Sequence, residues 1–284
     1  MILISGASGL IGMALMQSLA ARDEVIGFSS QGGDRNLEQC DVRDFSALKN
    51  VFLRYRPDTV IHVAGNKNLR ECQDNPARCR EVNVLGTSNI GRLSLQLGAC
   101  LIYVSSDYVF DGENGSYCEQ CYRNPQQVYG RTKVAAEDIV TSLGGIICRT
   151  SGVYDLNATR PTFLQFVLQE LRHNRHLDLW SDLFNSPTHL PDLCAGIAKL
   201  INFQTPGVYH LCGPDRMSRF AFGVQIADAF GLDPTLLTSK PGQSKEPLRP
   251  LDLSIDSSNT IRLLGNQMNS VATVLKMLRS KDYV

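Results

Sequence analysis

The chain has 284 residues, of which 43% are hydrophobic, and its 28 basic side chains balance 28 acidic ones. Because the formal net charge is zero and no run of like charges occurs, the composition argues against binding to nucleic acids or to anionic membranes. No apolar stretch is long enough to span a bilayer, and the start "MILISGASG" shows neither a basic leader nor a cleavage-site pattern. We therefore expect a cytoplasmic protein with one large domain, or with one domain and an attached lobe.

Strand and helix patterns alternate over the first 150 residues. The predicted strands are "MILIS", "EVIGFS", "TVIHVAG", "CLIYVSS" and "GGIICRTS". The predicted helices are "LIGMALMQSLAA", "DFSALKNVFLRY" with Asp44 as its N-cap, the stretch from Asn75 to Leu97, and the segment that begins at Tyr129. Apolar strands that alternate with helices are typical of a parallel sheet covered on both faces. Residues 1–150 are therefore predicted to form a Rossmann-type, doubly wound α/β domain.

The pattern in residues 151–284 is less regular. The predicted elements are a helix at Phe163–Arg172, a strand near "HLDLW", a helix from Asp192, a strand at "GVYHLC", a helix from Arg219 and a closing helix at "SVATVLKMLRS". The Pro-rich segment "KPGQSKEPLRPLD" predicts a loop. We expect these residues to form mainly a smaller substrate-binding lobe, with some of the chain returning to the Rossmann sheet.

Nine cysteines are scattered along the chain. An odd number of cysteines in a chain of this size predicts free thiols in a reducing compartment. Cys118 and Cys121 form the single CxxC motif, whereas a zinc site would need a second pair at suitable spacing. Cys72 and Cys79 lie in a predicted helix and do not complete such a site, so we expect no metal.

Three glycines follow the first predicted strand in the turn "SGASGLIG". Glycines allow a tight turn in which backbone N–H groups approach a pyrophosphate, and the following helix directs its positive N-terminal end at that charge. The alternative is a glycine-rich turn without a ligand. We predict a dinucleotide site, and its expected contacts in this turn are Gly6, Ser8, Gly9, Leu10, Ile11 and Gly12.

The end of the second predicted strand bears on the choice of dinucleotide. An NAD-type site usually has an acidic residue there, which binds the ribose hydroxyls. This chain has Ser29 and Ser30 instead, followed by Arg35. These residues could bind a ribose 2′-phosphate, so we favour NADP(H) over NAD(H). In the alternative interpretation they belong to a polar loop, and Arg35 points to water.

The fourth predicted strand and the helix after it place polar groups beside the expected nicotinamide. Ser105, Ser106 and Asp107 follow the strand's apolar residues, and Tyr129 and Lys133 share one face of the helix. A hydroxyl, a phenol and an ammonium are what the reduction of a carbonyl requires: a proton donor, a group that polarises the oxygen, and a cation that tunes the acid.

At these residues the chain resembles the extended short-chain dehydrogenase/reductase family. The motifs "GASGLIG", "CDVRD", "HVAG", "VNVLGT", "VSSDYVFDG", "YGRTK" and "RTSGVY" occur in the family's order. The runs "SSDYVFDG", "YGRTKVAAE", "SPTHLPDLCAGI" and "GVYHLCGPDRMSRFAFGVQIA" are similar to the dTDP-4-dehydrorhamnose reductase subgroup. The resemblance covers most of the chain.

The resemblance implies a role for each matching residue. Ser106 would orient and polarise a ketone, Tyr129 would donate the proton, and Lys133 would bind ribose and lower the pKa of Tyr129. The further cofactor contacts that it implies are Asp41, Val42, Ala64, Gly65, Tyr103 and Ser105.

Five residues carry ordinary structural interpretations that stay open at this point. Asp41 could be a turn residue, and Asp107 could either contact a substrate hydroxyl or cap a local turn. Asn83, which a helix does not favour, either binds neighbouring backbone or faces solvent. His62 is predicted to be a satisfied core histidine, and Trp180 is predicted to contribute packing.

Two positions bear on the substrate. Gly152 stands where rhamnose-type reductases carry a tryptophan after "RTS", which predicts a wider pocket beside the sugar and puts the identity of the sugar in doubt. Arg249 is a candidate ligand for the diphosphate of a nucleotide, because guanidinium groups match phosphate oxygens. Its alternative is a surface arginine in a Pro-rich loop.

Three function classes follow from these residues. The first is an NAD(P)H-dependent reductase of a 4-keto nucleotide sugar, with dTDP-rhamnose synthesis as the implied setting. The second is a nucleotide-sugar epimerase of the same fold. The third is a non-catalytic NADP-binding module, similar to regulatory subunits of methionine adenosyltransferase. The expected partner is a small-molecule nucleotide sugar, and a homodimer is left open.

Overall fold

The computed structural model describes residues 1–32, 37–242 and 249–282. The strands are β1 (Ile2–Ser5), β2 (Val25–Ser29), β3 (Leu37–Gln39), β4 (Thr59–His62), β5 (Cys100–Ser106), β6 (Ile146–Thr150), β7 (Val153–Tyr154), β8 (Leu177–Trp180), β9 (Phe184–Asn185), β10 (Thr188–His189), β11 (Gly207–His210), β12 (Met217–Ser218) and β13 (Leu237–Lys240). The helices are α1 (Leu10–Leu19), α2 (Phe45–Tyr55), α3 (Leu69–Asp74), α4 (Pro76–Arg80), α5 (Gly86–Leu97), α6 (Val128–Ser142), α7 (Phe163–Arg172), α8 (Leu190–Phe203), α9 (Arg219–Phe230), α10 (Ser258–Leu264) and α11 (Val271–Asp282).

Within these described ranges the chain forms two compact units. The first comprises Met1–Phe110, Tyr122–Arg149 and Cys194–Tyr209, and the second comprises Asp111–Cys121, Thr150–Leu193 and His210–Val284. The helices of the described ranges are all too short or too polar to cross a membrane.

A seven-stranded sheet organises the first unit, as far as its residues are described. The strand order is β11-β6-β5-β4-β1-β2-β3, and the pairs β1–β2, β1–β4, β2–β3 and β4–β5 are parallel. The strands β1, β2, β4, β5 and β6 are mostly buried, as expected for a parallel sheet covered by helices, whereas the edge strand β3 is partly exposed. The predicted Rossmann-type α/β fold is confirmed. Strand β11 shows that a late segment of the chain returns to this sheet.

Local signals place the helix ends of the first unit. The predicted N-cap is confirmed, since the side chain of Asp44 accepts a hydrogen bond from the backbone N–H of Ala47 at 3.0 Å. The predicted long helix over residues 75–97 is interrupted: between α4 and α5, residues Glu81–Leu85 form a π-helical turn. Such turns occur often at functional sites, and this one contains Asn83.

The second unit has its own apolar core and small strand pairs. Helix α7 has the predicted bounds, and its start carries a capping box between Thr162 and Gln165. Strands β8 and β13 pair in parallel, although no strand was predicted at β13. The core side chains come mainly from α7, α9 and α11, and include Leu164, Val167, Leu168, Phe222, Ile226, Val271 and Leu275.

The prediction that all cysteines are free thiols is wrong for two of them. Cys118 and Cys121 form a disulfide, with their Cα atoms 5.2 Å apart. The two residues between them turn the chain back, so that the two side chains meet. The other seven cysteines are free.

Candidate active site and cofactor loop

The turn between β1 and α1 requires glycine at two of its three glycine positions. Gly6 has a φ of +68°, and a Cβ atom there would lie 2.6 Å from the backbone nitrogen of Ala64. A Cβ atom at Gly12 would lie 2.4 Å from the carbonyl oxygen of Gly6. Gly9 is the N-cap of α1 and supplies no side-chain cap. The loop therefore closes tightly while the amino end of α1 lacks a capping side chain, which suits a bound pyrophosphate.

The end of β2 carries a buried hydroxyl that lacks a partner. Ser29 is 6% exposed, and among the described residues its Oγ finds no hydrogen-bond partner. An unpartnered buried hydroxyl costs about 1–3 kcal/mol, so a ligand that supplies a partner would be stabilised here. Ser30 is exposed, and its carbonyl oxygen accepts a hydrogen bond from Gln39 Nε2 at 3.2 Å. The predicted contact Arg35 lies outside the described residues.

Asp41 lies in a turn after β3 and is held by an arginine two residues later. The carboxylate of Asp41 accepts hydrogen bonds from Arg43 Nε at 3.1 Å and from its Nη2 at 2.6 Å. Hydrogen bonding to the Arg43 side chain holds the pKa of Asp41 below its ordinary value. The backbone N–H of Arg43 donates to the same carboxylate at 2.9 Å, which confirms the turn interpretation. Val42, which follows Asp41, is held by Asn89, whose Nδ2 donates to the carbonyl of Val42 at 3.0 Å.

The segment after β4 is fixed by the π-helical turn. The backbone N–H of Asn66 donates to Asn83 Oδ1 at 2.7 Å, and Asn83 Nδ2 donates to the Asn66 carbonyl at 3.0 Å and to Thr132 Oγ1 at 2.9 Å. Asn83 therefore binds backbone rather than solvent. A Cβ atom at Gly65 would lie 3.2 Å from Asn83 Oδ1, so the chain passes closely here. Ala64, before it, donates its backbone N–H to Ser5 at 3.3 Å.

His62 is a core residue, as predicted. Its side chain is fully buried at the end of β4, where Nδ1 lies 2.6 Å from Ser5 Oγ and Nε2 lies 3.0 Å from Thr87 Oγ1. Burial, with a smaller contribution from the positive charge of Lys133, lowers the pKa of His62 to about 3. The ring is therefore neutral at physiological pH and has both nitrogens satisfied.

The end of β5 and the start of α6 bring the predicted catalytic hydroxyls together. Burial raises the pKa of Tyr129 above its ordinary value, and a hydrogen bond with Ser106 acts in the opposite direction. Ser106 also donates to Asp107 Oδ1 at 2.7 Å and accepts from the backbone N–H of Tyr108 at 3.3 Å. The local cap is thus Ser106, and contact of Asp107 with a substrate hydroxyl stays a prediction. The ring of Tyr108 packs edge-on against Tyr129, with 5.6 Å between centroids.

Lys133 is buried one turn after Tyr129. Its Nζ donates to the carbonyl of Val104 at 2.8 Å and lies 4.2 Å from the centroid of the Tyr103 ring. Burial lowers the pKa of Lys133 to about 7, although the charge of Glu137 acts in the opposite direction. The Nζ of Lys133 is thus bound to the backbone of β5, and the lowering of the Tyr129 pKa by Lys133 stays a prediction.

Sequence reasoning missed a buried carboxylate on the same helix face. Glu137 is fully buried and accepts hydrogen bonds from Ser105, Arg149 and Arg123. Burial raises the pKa of Glu137, but the side chain of Arg149 outweighs this and holds it below the ordinary value. The available signal was spacing, because Glu137 follows Lys133 by four residues and so lies on the same face.

The second unit contains the two predicted substrate residues. Gly152 has a φ of +49°, and a Cβ atom there would lie 2.8 Å from Asn185 Nδ2 and 3.3 Å from the Cα of Pro187. Asn185 and Pro187 therefore occupy the space into which a side chain at residue 152 would project. Arg249 is half-buried, with its guanidinium 5.3 Å from the centroid of the Trp180 ring. This contact supports the packing role of Trp180, and the choice between a diphosphate ligand and a surface arginine stays open for Arg249.

The topology gathers most of the predicted site residues of the first unit at one sheet edge. The strands β1, β2, β4 and β5 run in parallel, so the residues after each carboxyl end lie at the same edge. The predicted residues at or after these ends are Gly6, Ser8, Gly9, Leu10, Ile11, Gly12, Ser29, Ser30, Ala64, Gly65, Ser105, Ser106 and Asp107. Tyr129 lies beside them, because its ring packs edge-on against that of Tyr108, which directly follows Asp107.

Comparisons with known proteins agree with this arrangement. The RmlD substrate binding domain matches residues 1–276. Methionine adenosyltransferase 2 subunit beta of Xenopus tropicalis is 30% identical over 269 residues, which cover 89% of this chain and 80% of that protein. A dTDP-4-dehydrorhamnose reductase of Mycolicibacterium smegmatis is 28% identical over 239 residues, covering 82% of this chain and 70% of that protein.

A solved structure with a bound dinucleotide is similar over the whole chain. It is dTDP-4-dehydrorhamnose reductase from Bacillus anthracis in complex with NADP, which is 26% identical. The TM-score is 0.88, and the match covers 99% of this chain and 98% of that one. Since the family match extends over nearly the full length, the chain belongs to the family of the RmlD substrate binding domain and has the extended short-chain dehydrogenase/reductase fold.

Proposed function

We propose that the protein is an NADP(H)-dependent reductase of a 4-keto nucleotide sugar, with Tyr129 as the proton donor. The observation that carries this proposal is the position of Tyr129 beside the end of β5: its ring packs edge-on against Tyr108, two residues after Ser106, and Lys133 lies one turn away on α6. We further propose that residues 1–150 bind the dinucleotide and that residues 151–284 mainly bind the substrate. The reductase from Mycolicibacterium smegmatis, 28% identical, supports this reaction class.

The first unit fits a dinucleotide. The tight glycine turn leaves no room for side chains at Gly6 and Gly12, and the amino end of α1 lacks a capping side chain. The unpartnered hydroxyl of Ser29 supports binding of the ribose or its 2′-phosphate. Because neither Ser29 nor Ser30 is a carboxylate that would repel that phosphate, we favour NADP(H) over NAD(H). Asp41, Val42, Ala64, Gly65, Tyr103 and Ser105 are the further proposed contacts.

The bound cofactor would supply the hydride, and the residues of this chain would manage the proton and the developing charge. Tyr129 holds its proton at neutral pH, because burial raises its pKa, and can pass that proton to the ketone oxygen. Ser106 can donate a second hydrogen bond to the same oxygen once it releases Asp107. Lys133 Nζ, which donates to the carbonyl of Val104 in this structure, can instead donate to the ribose hydroxyls of the bound cofactor.

A regulatory role is the second candidate function. The beta subunit of methionine adenosyltransferase 2 from Xenopus tropicalis is 30% identical, which is a higher identity than that of the reductases described above. In this alternative the chain binds NADP and a partner protein without net turnover. An epimerase of the same fold would likewise consume no NADPH overall.

Oxidation of NADPH, measured at 340 nm against a panel of nucleotide-linked 4-ketosugars, tests the proposal. We expect stoichiometric loss of NADPH with at least one ketone, and expect Tyr129→Phe to remove it. Binding of NADPH without consumption for every ketone would reject the reductase. Conversion of the sugar without NADPH loss would assign an epimerase.

A further inference from the structure

We propose that Glu137 is a positioning residue of this site, whose buried carboxylate holds Ser105 in place and keeps the neighbouring Lys133 in its ammonium form. The effect of Glu137 on catalysis follows only if the proposed function is correct. Its effect on Ser105 and Lys133 follows from the contacts described for the first unit.

The carboxylate of Glu137 has every acceptor direction occupied. Its Oε1 accepts from Ser105 Oγ at 2.6 Å and from Arg149 Nε at 2.9 Å. Its Oε2 accepts from Arg149 Nη2 at 2.7 Å and from Arg123 Nη1 at 3.1 Å. The paired contact with Arg149 is bidentate, and Glu137 is fully buried, so the carboxylate has one defined orientation.

Glu137 and Lys133 hold two consecutive residues of β5. They are four residues apart on α6 and so lie on one face of that helix. Lys133 Nζ donates to the carbonyl of Val104, and Glu137 accepts from the hydroxyl of Ser105. The next residue of the strand is Ser106. The two contacts therefore fix the register between the strand that carries Ser106 and the helix that carries Tyr129.

Among the charged groups around Lys133, Glu137 favours the protonated form of the Lys133 amine. The titratable or charged groups that face Lys133 or its partners are Tyr129 and Glu137 on α6, Tyr103 on β5, His62 on β4, Cys79 on α4, Arg149 on β6 and Arg123 in the preceding loop. His62 is neutral because its pKa is about 3. Within the described residues, the carboxylate that raises the pKa of Lys133 against the effect of burial is therefore Glu137.

The test compares Glu137→Gln with wild type and with a matched control, Asp138→Asn. Asp138 is an exposed carboxylate on the same helix, and it binds the same Arg123 at 2.8 Å. The first readout is the titration of Lys133 in the cofactor-free protein, followed by NMR of ¹⁵N-labelled lysine. The spectrum of Lys133→Met assigns the signal. We expect Lys133 to lose its proton at lower pH in Glu137→Gln than in the other two proteins, and equal titration in all three would overturn the proposal.

The second readout is the pH profile of kcat/KM with the best ketone substrate. Because Lys133 must be charged, we expect the alkaline limb in Glu137→Gln to move to lower pH. The activity lost at pH 8 relative to pH 6 would then grow by about tenfold for each unit of pKa change. A uniform loss at all pH values, with unchanged titration of Lys133, would assign Glu137 a purely structural role. If wild type reduces no ketone, the proposed function fails, while the titration still decides the role of Glu137.

Glu137→Gln removes the bidentate carboxylate partner of the buried Arg149, so the substitution is also combined with Arg149→Met to protect the fold. Circular dichroism checks the fold of both proteins. The double variant carries no uncompensated arginine, and because it also lacks the positive charge of Arg149, we expect Lys133 to lose its proton at lower pH than in wild type but by a smaller shift than in Glu137→Gln. Failure of both variants to fold would identify an essential structural ion pair and would overturn the proposal.

Discussion

The side chain of Asn185 occupies the space into which any side chain at Gly152 would project, since a Cβ atom at residue 152 would lie 2.8 Å from Asn185 Nδ2. The same glycine has a φ of +49°, in the left-handed region that other residues rarely adopt. Gly152 is therefore part of the packing of the second unit. A wider pocket for the sugar beside Gly152 stays a prediction.

Replacing Gly152 by tryptophan is expected to destabilise the protein rather than to improve its use of dTDP-4-keto-rhamnose. The left-handed backbone alone should cost about 1–2 kcal/mol for a residue with a Cβ atom, and the indole would add a clash with Asn185. Gly152→Ala carries both the backbone cost and the contact of the Cβ atom with Asn185, so any further loss in the tryptophan variant reports the indole. Urea denaturation checks the stabilities, and a tryptophan variant as stable as wild type would contradict this account.

Replacing Tyr129 by phenylalanine is expected to lower turnover by about 100-fold or more, which is the usual contribution of a positioned acid. The affinity for NADPH should change little, because the ring and its edge-on contact with Tyr108 remain. Steady-state kinetics and calorimetric titration measure the two effects separately. Turnover equal to that of wild type would show that Tyr129 is not the proton donor.

Replacing Gly9 by aspartate is expected to abolish NADPH binding, whereas Gly9→Asn should weaken it far less. The two side chains have nearly the same size, and the nearest atom to a Cβ at this position is the Gly6 carbonyl oxygen at 3.2 Å. The difference between them therefore reports the charge placed at the amino end of α1. Calorimetric titration with NADPH and NADH provides the measurement. Equal affinities of the two variants would place the pyrophosphate elsewhere, and a clear preference of wild type for NADH would reject the role of Ser29 and Ser30.

The stability of the second unit is expected to depend on the charge of His189. Burial alone would lower the pKa of His189, but the nearby carboxylates of Asp155 and Asp192 outweigh this and raise it to about 8. Because the pKa of His189 is higher in the folded than in the unfolded protein, its protonation adds to the free energy of unfolding. This addition is complete below about pH 6.5 and is lost as the pH rises through about 8. The rise from 6.5 to about 8 corresponds to about 2 kcal/mol.

Urea denaturation of wild type and His189→Gln between pH 6 and pH 9 tests this dependence. We expect the difference in free energy of unfolding between the two proteins to shrink as the pH rises across that interval. A constant difference would mean that His189 contributes by packing and neutral hydrogen bonds only. The charged pair with Asp192, 3.1 Å from His189 Nδ1, would then be without effect.

The disulfide between Cys118 and Cys121 is expected to form in protein purified without reductant. Alkylation of the denatured protein followed by mass spectrometry should then label seven cysteines, and nine after reduction, because the other seven are free. Since the closed loop is short, reduction should change the stability little. Labelling of all nine cysteines before reduction would contradict the pairing.

Local patterns in the sequence were sufficient for the fold class. Apolar strands separated by amphipathic helices predict the Rossmann-type sheet, and the bounds of α7, the cap at Asp44 and the glycine turn were all predicted correctly. Each of these features depends on residues within a few positions of one another. The resemblance in motif order also pointed to the family, which the match over residues 1–276 confirms.

The tertiary structure decided what depends on residues far apart in the chain. Glu137 meets Ser105 across 32 positions, and Asn185 fills the space beside Gly152, a pairing that no local pattern contains. Strands of two residues, such as β7 and β10, exist because a partner strand supplies their hydrogen bonds rather than because of their own propensity. The sequence by itself thus determined the elements and the chemical groups available for the site. Folding decided which of those groups are buried and paired, because burial and pairing depend on neighbours that only the folded chain brings together.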